Sequence, residues 1–302
     1  MDPEKIRALL PRYRVLDGAQ YRQAEHDPAD MGGLSLRKKA GREMLRASVR
    51  RLAALQQKLE ANGSWAVLAV LQATDAGGKD STIKHVMSGV NPQGVSVTSF
   101  KQPGVVELSH DFLWRAHLSM PQRGKIGIFN RSYYEEVLVT KVHPELLEAE
   151  HLPEPHKGAH FWAHRYEDIR NFETYLARQG FVVLKFHLHV SREKQRQRFL
   201  KRLNRPYKIW KFSESDIRER EYWDEYQHAY HDAIAHTAHA AAPWYVVPGD
   251  RKWFARLVVI EAMIEAIEGL KLKEPEPKPE IRKSLSKFRS ILEHEGQGGK
   301  KG

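Results

Sequence analysis

The chain has 302 residues, and not one of them is cysteine. Disulfide bridges, thiolate nucleophiles and cysteine-held metals are excluded, and a reducing, cytoplasmic setting is expected. Long hydrophobic runs are missing as well. No stretch approaches the roughly eighteen uninterrupted apolar residues of a membrane span, and the opening MDPEKIRALLPRYRV mixes both charge signs without the apolar segment of an export signal. Neither a membrane nor a secretory route is expected. Acidic residues are scarce relative to basic ones: 38 Asp and Glu stand against 49 Lys and Arg, a formal net charge of +11. Such an excess favours a polyanionic partner, whether nucleic acid, an acidic membrane surface, nucleotides or a phosphate polymer.

What is present is an alternation of strand and helix patterns. Apolar residues at helical spacing from Leu36 to Leu59 predict a long amphipathic helix. Val- and Ile-rich runs at 66–72, 95–100, 125–130, 181–190 and 244–248 read as strands, with helices at 79–89, 108–119, 132–141, 158–179, 191–204, 214–240 and 251–271. This alternation predicts an α/β fold with a parallel five-stranded sheet covered by helices on both faces. Residues 1–35 read as an irregular arm and 36–271 as the main domain. After Leu270 the tract KLKEPEPKPEIRK is too rich in Pro, Lys and Glu to build a core, so 272–302 reads as a flexible tail with a short surface helix at 283–294.

The run VLAVLQATDAGGKDSTIKHV at 67–86 carries the strongest chemical signal. A buried strand breaks into a glycine turn and then a helix, which delivers Asp75, Ala76, Gly77, Gly78, Lys79, Asp80 and Ser81 to one point. There, backbone N–H groups and the positive end of the helix can hold a phosphate, and Lys79 adds a mobile cation. Asp75 beside a phosphate is repulsive unless a divalent cation lies between them, so the loop predicts a magnesium phosphate site. The match to G-x-x-x-x-G-K-[ST] is partial, because Ala73 replaces the first glycine and Asp80 the Ser or Thr. An ordinary tight turn is the competing reading.

The third strand ends in Asn130, Arg131 and Ser132, with Glu135 one helical turn on. Ligands of open parallel sheets sit beyond the carboxyl ends of the strands, so this cluster and the loop at 73–80 should face one site. Arg131 suits bidentate contact with phosphate oxygens, and Glu135 suits hydrated magnesium or an acceptor; the alternative is an ion pair between them at i and i+4. Between Ser191 and Lys211, nine Lys or Arg residues meet one acid, Glu193. Arg198, Arg202 and Arg205 fall on one side of a helix that Pro206 ends, and Lys208 and Lys211 flank Trp210. So few acids argue against a merely solvated helix and for a lid, at about 198–220, that closes over phosphates and excludes water. Lys101 in SFKQP and Arg115 in HDFLWR are candidate contacts to an acceptor's phosphate, or else peripheral charges. The sixteen histidines, among them His156, His160 and His164, lack metal-ligand company and read as structural or surface groups.

Six segments in this order, ATDAGGKDSTIKHV, SFKQP, HDFLWR, FNRSYYEEVLV, RPYKIWKF and PWYVVPGDRKW, resemble the type 2 polyphosphate kinase family over about residues 30–270. The resemblance implies a P-loop kinase-like, three-layer α/β/α fold with a helical lid. It also implies an enzyme that moves the terminal phosphoryl group of inorganic polyphosphate to ADP or AMP, forming ATP or ADP, with Mg2+ or Mn2+ as cofactor. Asp75 and Lys79 then match the Walker A acid and lysine, Asn130 and Arg131 the Walker B segment, while Arg198, Arg202, Lys208 and Lys211 fall in the lid. On this reading Asp75, Lys79 and Arg131 are catalytic, and Ala76, Gly77, Gly78, Asp80, Ser81 and the lid cations hold phosphates. Lys101, Arg115, Asn130 and Glu135 contact the nucleotide, and Asp75 is the first metal ligand, with Asn130 and Glu135 as further candidates. Two positions depart from the pattern: Ser81 stands where many members have glycine, and Asn130 where some have aspartate, which shifts the metal role towards Asp75. The N-R-S-x-Y-E form with Glu135 looks more like members acting on AMP as well as ADP. A homo-oligomer and no specific nucleic acid are expected. The rival readings are an ATP-dependent nucleoside monophosphate kinase and a basic nucleic-acid-binding protein; the latter lacks the usual motifs.

Overall fold

The computed structural model describes residues 3–206, 209, 212–273 and 279–298. Two compact units make up the chain, Met1–Leu272 and Lys273–Gly302. The first is built on six strands: β1 (Arg14–Val15), β2 (Ala66–Gln72), β3 (Val95–Ser99), β4 (Ile126–Asn130), β5 (Phe181–His189) and β6 (Trp244–Pro248), in the order β1-β6-β5-β2-β4-β3. The five strands legible in the sequence run parallel to one another. The sixth, β1, pairs antiparallel with β6 through Arg14–Tyr245 and Val15–Trp244. Two residues carry no periodicity, so this edge strand left no pattern to read.

Central β2 lies between β5 and β4, with Val67 opposite Val182 on one side and Ile126 on the other. Both of its faces are covered, which is why AVLAVLQ is apolar throughout rather than alternating. Val67, Ala69 and Leu71 face one core, shared with α1 (Lys38–Asn62), α2 (Lys79–Val86) and α7 (Lys252–Gly269). Leu68 and Val70 face the other, shared with α3 (Glu135–Val142), α4 (Phe161–Arg178) and α6 (Trp223–Thr237). The remaining long helix of this unit, α5 (Arg192–Leu203), follows β5 and is capped by Ser191, whose hydroxyl accepts from the Lys194 N–H.

Four stretches differ from the sequence expectation. Residues 108–119 form two short helices, Val105–Leu108 and Trp114–Leu118, and residues 214–240 split into Ser215–Arg218 and α6. The segment at 1–35 is integral to the main unit: Ile6 and Leu10 are fully buried in the first core, and Arg7 pairs with Glu261 and Glu268 of α7. Its apolar residues are too few and too scattered to announce packing. In the second unit, α8 (Pro279–Gly298) extends beyond the predicted 283–294 at both ends.

Candidate active site

The order of strands reverses at β2, where chain connections leave to opposite sides, and the loop following β2 opens at that point. Its geometry depends on two glycines. A Cβ on Gly77 would lie 2.4 Å from the Ala73 Cβ and 2.7 Å from the Thr74 carbonyl oxygen, and Gly78 has φ +111°, a conformation that side chains resist. Ala76 adopts φ 56° although it is not glycine. The loop thereby turns into α2 with Gly78 as its N-cap, and the Ser81 hydroxyl donates to the Gly78 carbonyl at 3.0 Å.

Lys79 is buried at the start of α2 and donates to the Ala73 carbonyl at 2.6 Å. Burial, helped by the Arg131 charge, pushes its ammonium down to about 8, against the pull of Asp75, Glu135 and Asp80. Arg131 follows β4 with φ 63°, its N–H bonded to the Leu71 carbonyl at 3.1 Å. That left-handed turn aims its guanidinium between two acids, Asp75 at 2.9 Å and Glu135 at 3.2 Å. The i,i+4 ion pair is therefore present, but Arg131 also crosses to Asp75 in the loop after β2, which a local helix pair would not do. Glu135 and Asp75 hold its pKa above the usual arginine range.

Asn130 donates to Asp80 Oδ1 at 3.0 Å, while its own Oδ1 is buried with no hydrogen-bond partner. With its amide oriented to satisfy all neighbours, Gln72 donates to Glu135 at 2.8 Å and accepts from the Ser132 N–H at 3.2 Å. Asp75, Arg131 and Glu135 thus form one wall of an open cleft of about 500 Å³. Asp216 and Glu219 also line it, as do Trp223, Tyr226 and Tyr230 of α6. Their spacing at i, i+3 and i+7 in WDEYQHAY was the available signal, but without a fold it reads as ordinary core.

The basic helix occupies a different role in this conformation. Arg198 donates to the carbonyls of Gly77 at 2.6 Å and Gly249 at 2.5 Å, so it ties the loop after β2 to the turn after β6. Burial lowers its pKa to about 10. Gln195, one turn earlier on the same face, donates to the Asp75 carbonyl at 3.0 Å. Arg202 pairs with Asp216 at 3.3 Å and lies over the Phe199 ring. Lys208 and Lys211 lie outside the described residues. Arg115 is buried rather than presented to an acceptor: it pairs with Glu136 at 2.8 Å and donates to the Lys101 carbonyl at 2.7 Å. Lys101 is exposed at the end of β3. Of the candidates, the structure brings Asp75, Lys79, Asp80, Asn130, Arg131 and Glu135 into one cluster.

Beneath this cluster lies a polar network that sequence reading missed. Lys185 and Glu173, both fully buried, pair at 2.6 Å, and Tyr133 and Tyr134 both donate to Glu173 Oε1, at 2.9 and 2.8 Å. Burial alone would raise the Glu173 pKa, but Lys185, His239 and the Tyr134 hydroxyl hold it below the usual carboxylate range. The two tyrosines directly follow Arg131 and Ser132, so the network fixes the segment from which Arg131 and Glu135 project.

The family model described as polyphosphate kinase 2 matches residues 35–275. The ADP-polyphosphate phosphotransferase of Rhodopseudomonas palustris is 47% identical over 281 residues, covering 90% of this chain and 97% of that protein. The AMP/ADP-polyphosphate phosphotransferase of Meiothermus ruber is 43% identical over 268 residues, 89% of this chain and 96% of that one. Among solved structures, polyphosphate kinase 2 from Arthrobacter aurescens superposes with a TM-score of 0.85 at 36% identity, covering 97% of each chain.

Proposed function

The chain belongs to the polyphosphate kinase 2 family, and on that premise we propose how its own residues divide the work. It is a polyphosphate-dependent nucleotide kinase, passing the terminal phosphoryl group of inorganic polyphosphate to ADP or AMP. The observation that carries the assignment of roles is the convergence of Asp75, Lys79, Asn130 and Arg131 where the phosphate loop meets the end of β4.

In the transfer, the bond from the terminal phosphorus to its bridging oxygen breaks as a bond to an acceptor phosphate oxygen forms in line with it. The shortened polyphosphate departs as an anion, and no general base is needed because the acceptor is already ionised at neutral pH. Catalysis therefore reduces to positioning and charge neutralisation. Loop N–H groups and Lys79 take the terminal phosphoryl oxygens. Arg131 leaves Asp75 for the transferring group, with Glu135 keeping its guanidinium in place. The oxygen donors present suit magnesium, which takes carboxylate, amide and phosphate oxygens: Asp75 would hold it, directly or through water, and the unpartnered Asn130 Oδ1 points to a second contact. The metal supplies neutralisation of the phosphate charge. The N-R-S-x-Y-E segment and the Meiothermus relative's name favour AMP as well as ADP as acceptors.

The test is a donor and acceptor exchange. Magnesium with AMP or ADP is offered polyphosphate or ATP, and the nucleotide products are identified. ADP and ATP formed from polyphosphate are expected; products from ATP alone would return the chain to the nucleoside monophosphate kinase reading.

A further inference from the structure

Arg131 crosses to Asp75 from a backbone of φ 63°. A left-handed turn at a bulky residue is strained, and it persists only where the surroundings over-determine it. Close to the sheet two bonds hold it: the Arg131 N–H meets the Leu71 carbonyl at 3.1 Å, and the Ser132 hydroxyl oxygen accepts the Tyr134 N–H at 3.1 Å. Further out, Tyr133 and Tyr134 run into the core with no exposed surface. Both hydroxyls end on one atom, Oε1 of Glu173 on α4, at 2.9 and 2.8 Å. The other oxygen of Glu173 meets Lys185 Nζ of β5 at 2.6 Å and His239 Nε2 at 3.3 Å. Lys185 directs its remaining protons to the Tyr134 hydroxyl at 3.1 Å and to the carbonyl of Thr237, the last residue of α6, at 2.8 Å. The turn after β4 is thereby fastened to α4, β5 and α6 at a single carboxylate, whose movement would break several charge-assisted bonds together. Glu173 and Lys185 are fully buried, and neither is among the described residues lining the cleft.

We propose that Glu173 is a positioning residue for phosphoryl transfer: through the hydroxyls of Tyr133 and Tyr134 it holds Arg131 in its left-handed turn, so that the guanidinium meets the transferring group already aimed. This rests on the reading of Arg131 as a contact to that group. Lys185 serves by fixing the carboxylate and touches no substrate. On a relaxed turn the guanidinium keeps its charge, so substrates still bind. What is lost is its alignment with the charge that develops during transfer, and the loss falls on the rate rather than on affinity.

The variant Y133F/Y134F removes both hydroxyls and keeps the rings, which pack edge-on against Phe172 and Trp244. Steady-state kinetics with polyphosphate and ADP are measured in it, in the gentler Y133F, in R131K and in R131K/Y133F/Y134F, with thermal denaturation alongside. The expected result is a fall in kcat on the order of tenfold, with apparent KM for either substrate within about twofold of the wild type. In the R131K background the tyrosine substitutions should cost far less, because the group they aim is already gone. An unchanged kcat in Y133F/Y134F would overturn the proposal, and so would a raised KM at unchanged kcat. The same proportional loss in both backgrounds would overturn it too, since that marks a purely structural role. Should the double variant unfold, Y133F decides by the same division between kcat and KM. Wild-type kcat in R131K would instead take Arg131 out of the transfer step, defeating the reading on which the proposal rests and the proposal with it.

Discussion

At the scale of single residues, Lys79 shows the conflict between stability and function most directly. Its ammonium is buried, and its folded pKa of about 8 lies below the ordinary 10.5. A lysine depressed in this way costs stability below pH 8, and the cost fades as pH rises from 8 towards 10.5, where the unfolded chain also loses the proton. Lys79→Met should therefore be more stable than the wild type at pH 7, with the difference shrinking by pH 10, as read by paired thermal denaturation. A difference independent of pH would contradict the burial argument. The same variant should lose on the order of a hundredfold or more in turnover. Lys79 and Asp75 were legible from the strand, turn and helix pattern. The reach of Arg131 to both acids was not, because it depends on a left-handed φ that no local sequence signal gives an arginine.

Elements are held in register by paired charges that the sequence presents as unrelated. Arg115 and Glu136 lie 21 residues apart, yet they clamp the segment following β3 onto α3. Burial raises the Glu136 pKa, and Arg115 is the first of the charges that oppose this. Arg115→Met should cost about 3–5 kcal/mol because it leaves a buried carboxylate short of its partner. The double variant Arg115→Met/Glu136→Leu should recover most of that loss in urea denaturation. A single variant within about 1 kcal/mol of the wild type would show that the pair does not clamp these elements. Arg198 teaches the same lesson: helical spacing placed it correctly among the cations of α5, but its donors go to the loop carbonyls at Gly77 and Gly249. Which carbonyls lie within reach is settled only when β5 and β6 are neighbours.

For the whole molecule, the first thirty-five residues matter more than their irregular sequence suggests. Ile6 and Leu10 are completely buried, and Arg7 reaches the fully buried Glu261, whose other oxygen takes the Ser48 hydroxyl at 2.5 Å. Ile6→Ala should cost about 2–5 kcal/mol, the range for an emptied core position. A loss under about 1 kcal/mol in chemical denaturation would show the segment to be a loose arm after all. The second unit stands apart in composition: α8 exposes Ile281, Leu285, Phe288 and Leu292 along one side. Among the described residues, no helix is long and apolar enough to cross a membrane.

The sequence by itself determined the parallel α/β architecture, because strands buried on both faces must be apolar throughout and the helices between them must be amphipathic. It also determined the glycine turn between β2 and α2, because Gly77 and Gly78 answer to local sterics and Lys79 follows them directly. Only the tertiary structure decided which charges meet. Ion pairs such as Arg131–Asp75 and Arg115–Glu136 join residues far apart in the chain. Their free energies depend on distance and on exclusion of water, and both are set by packing rather than by spacing along the chain.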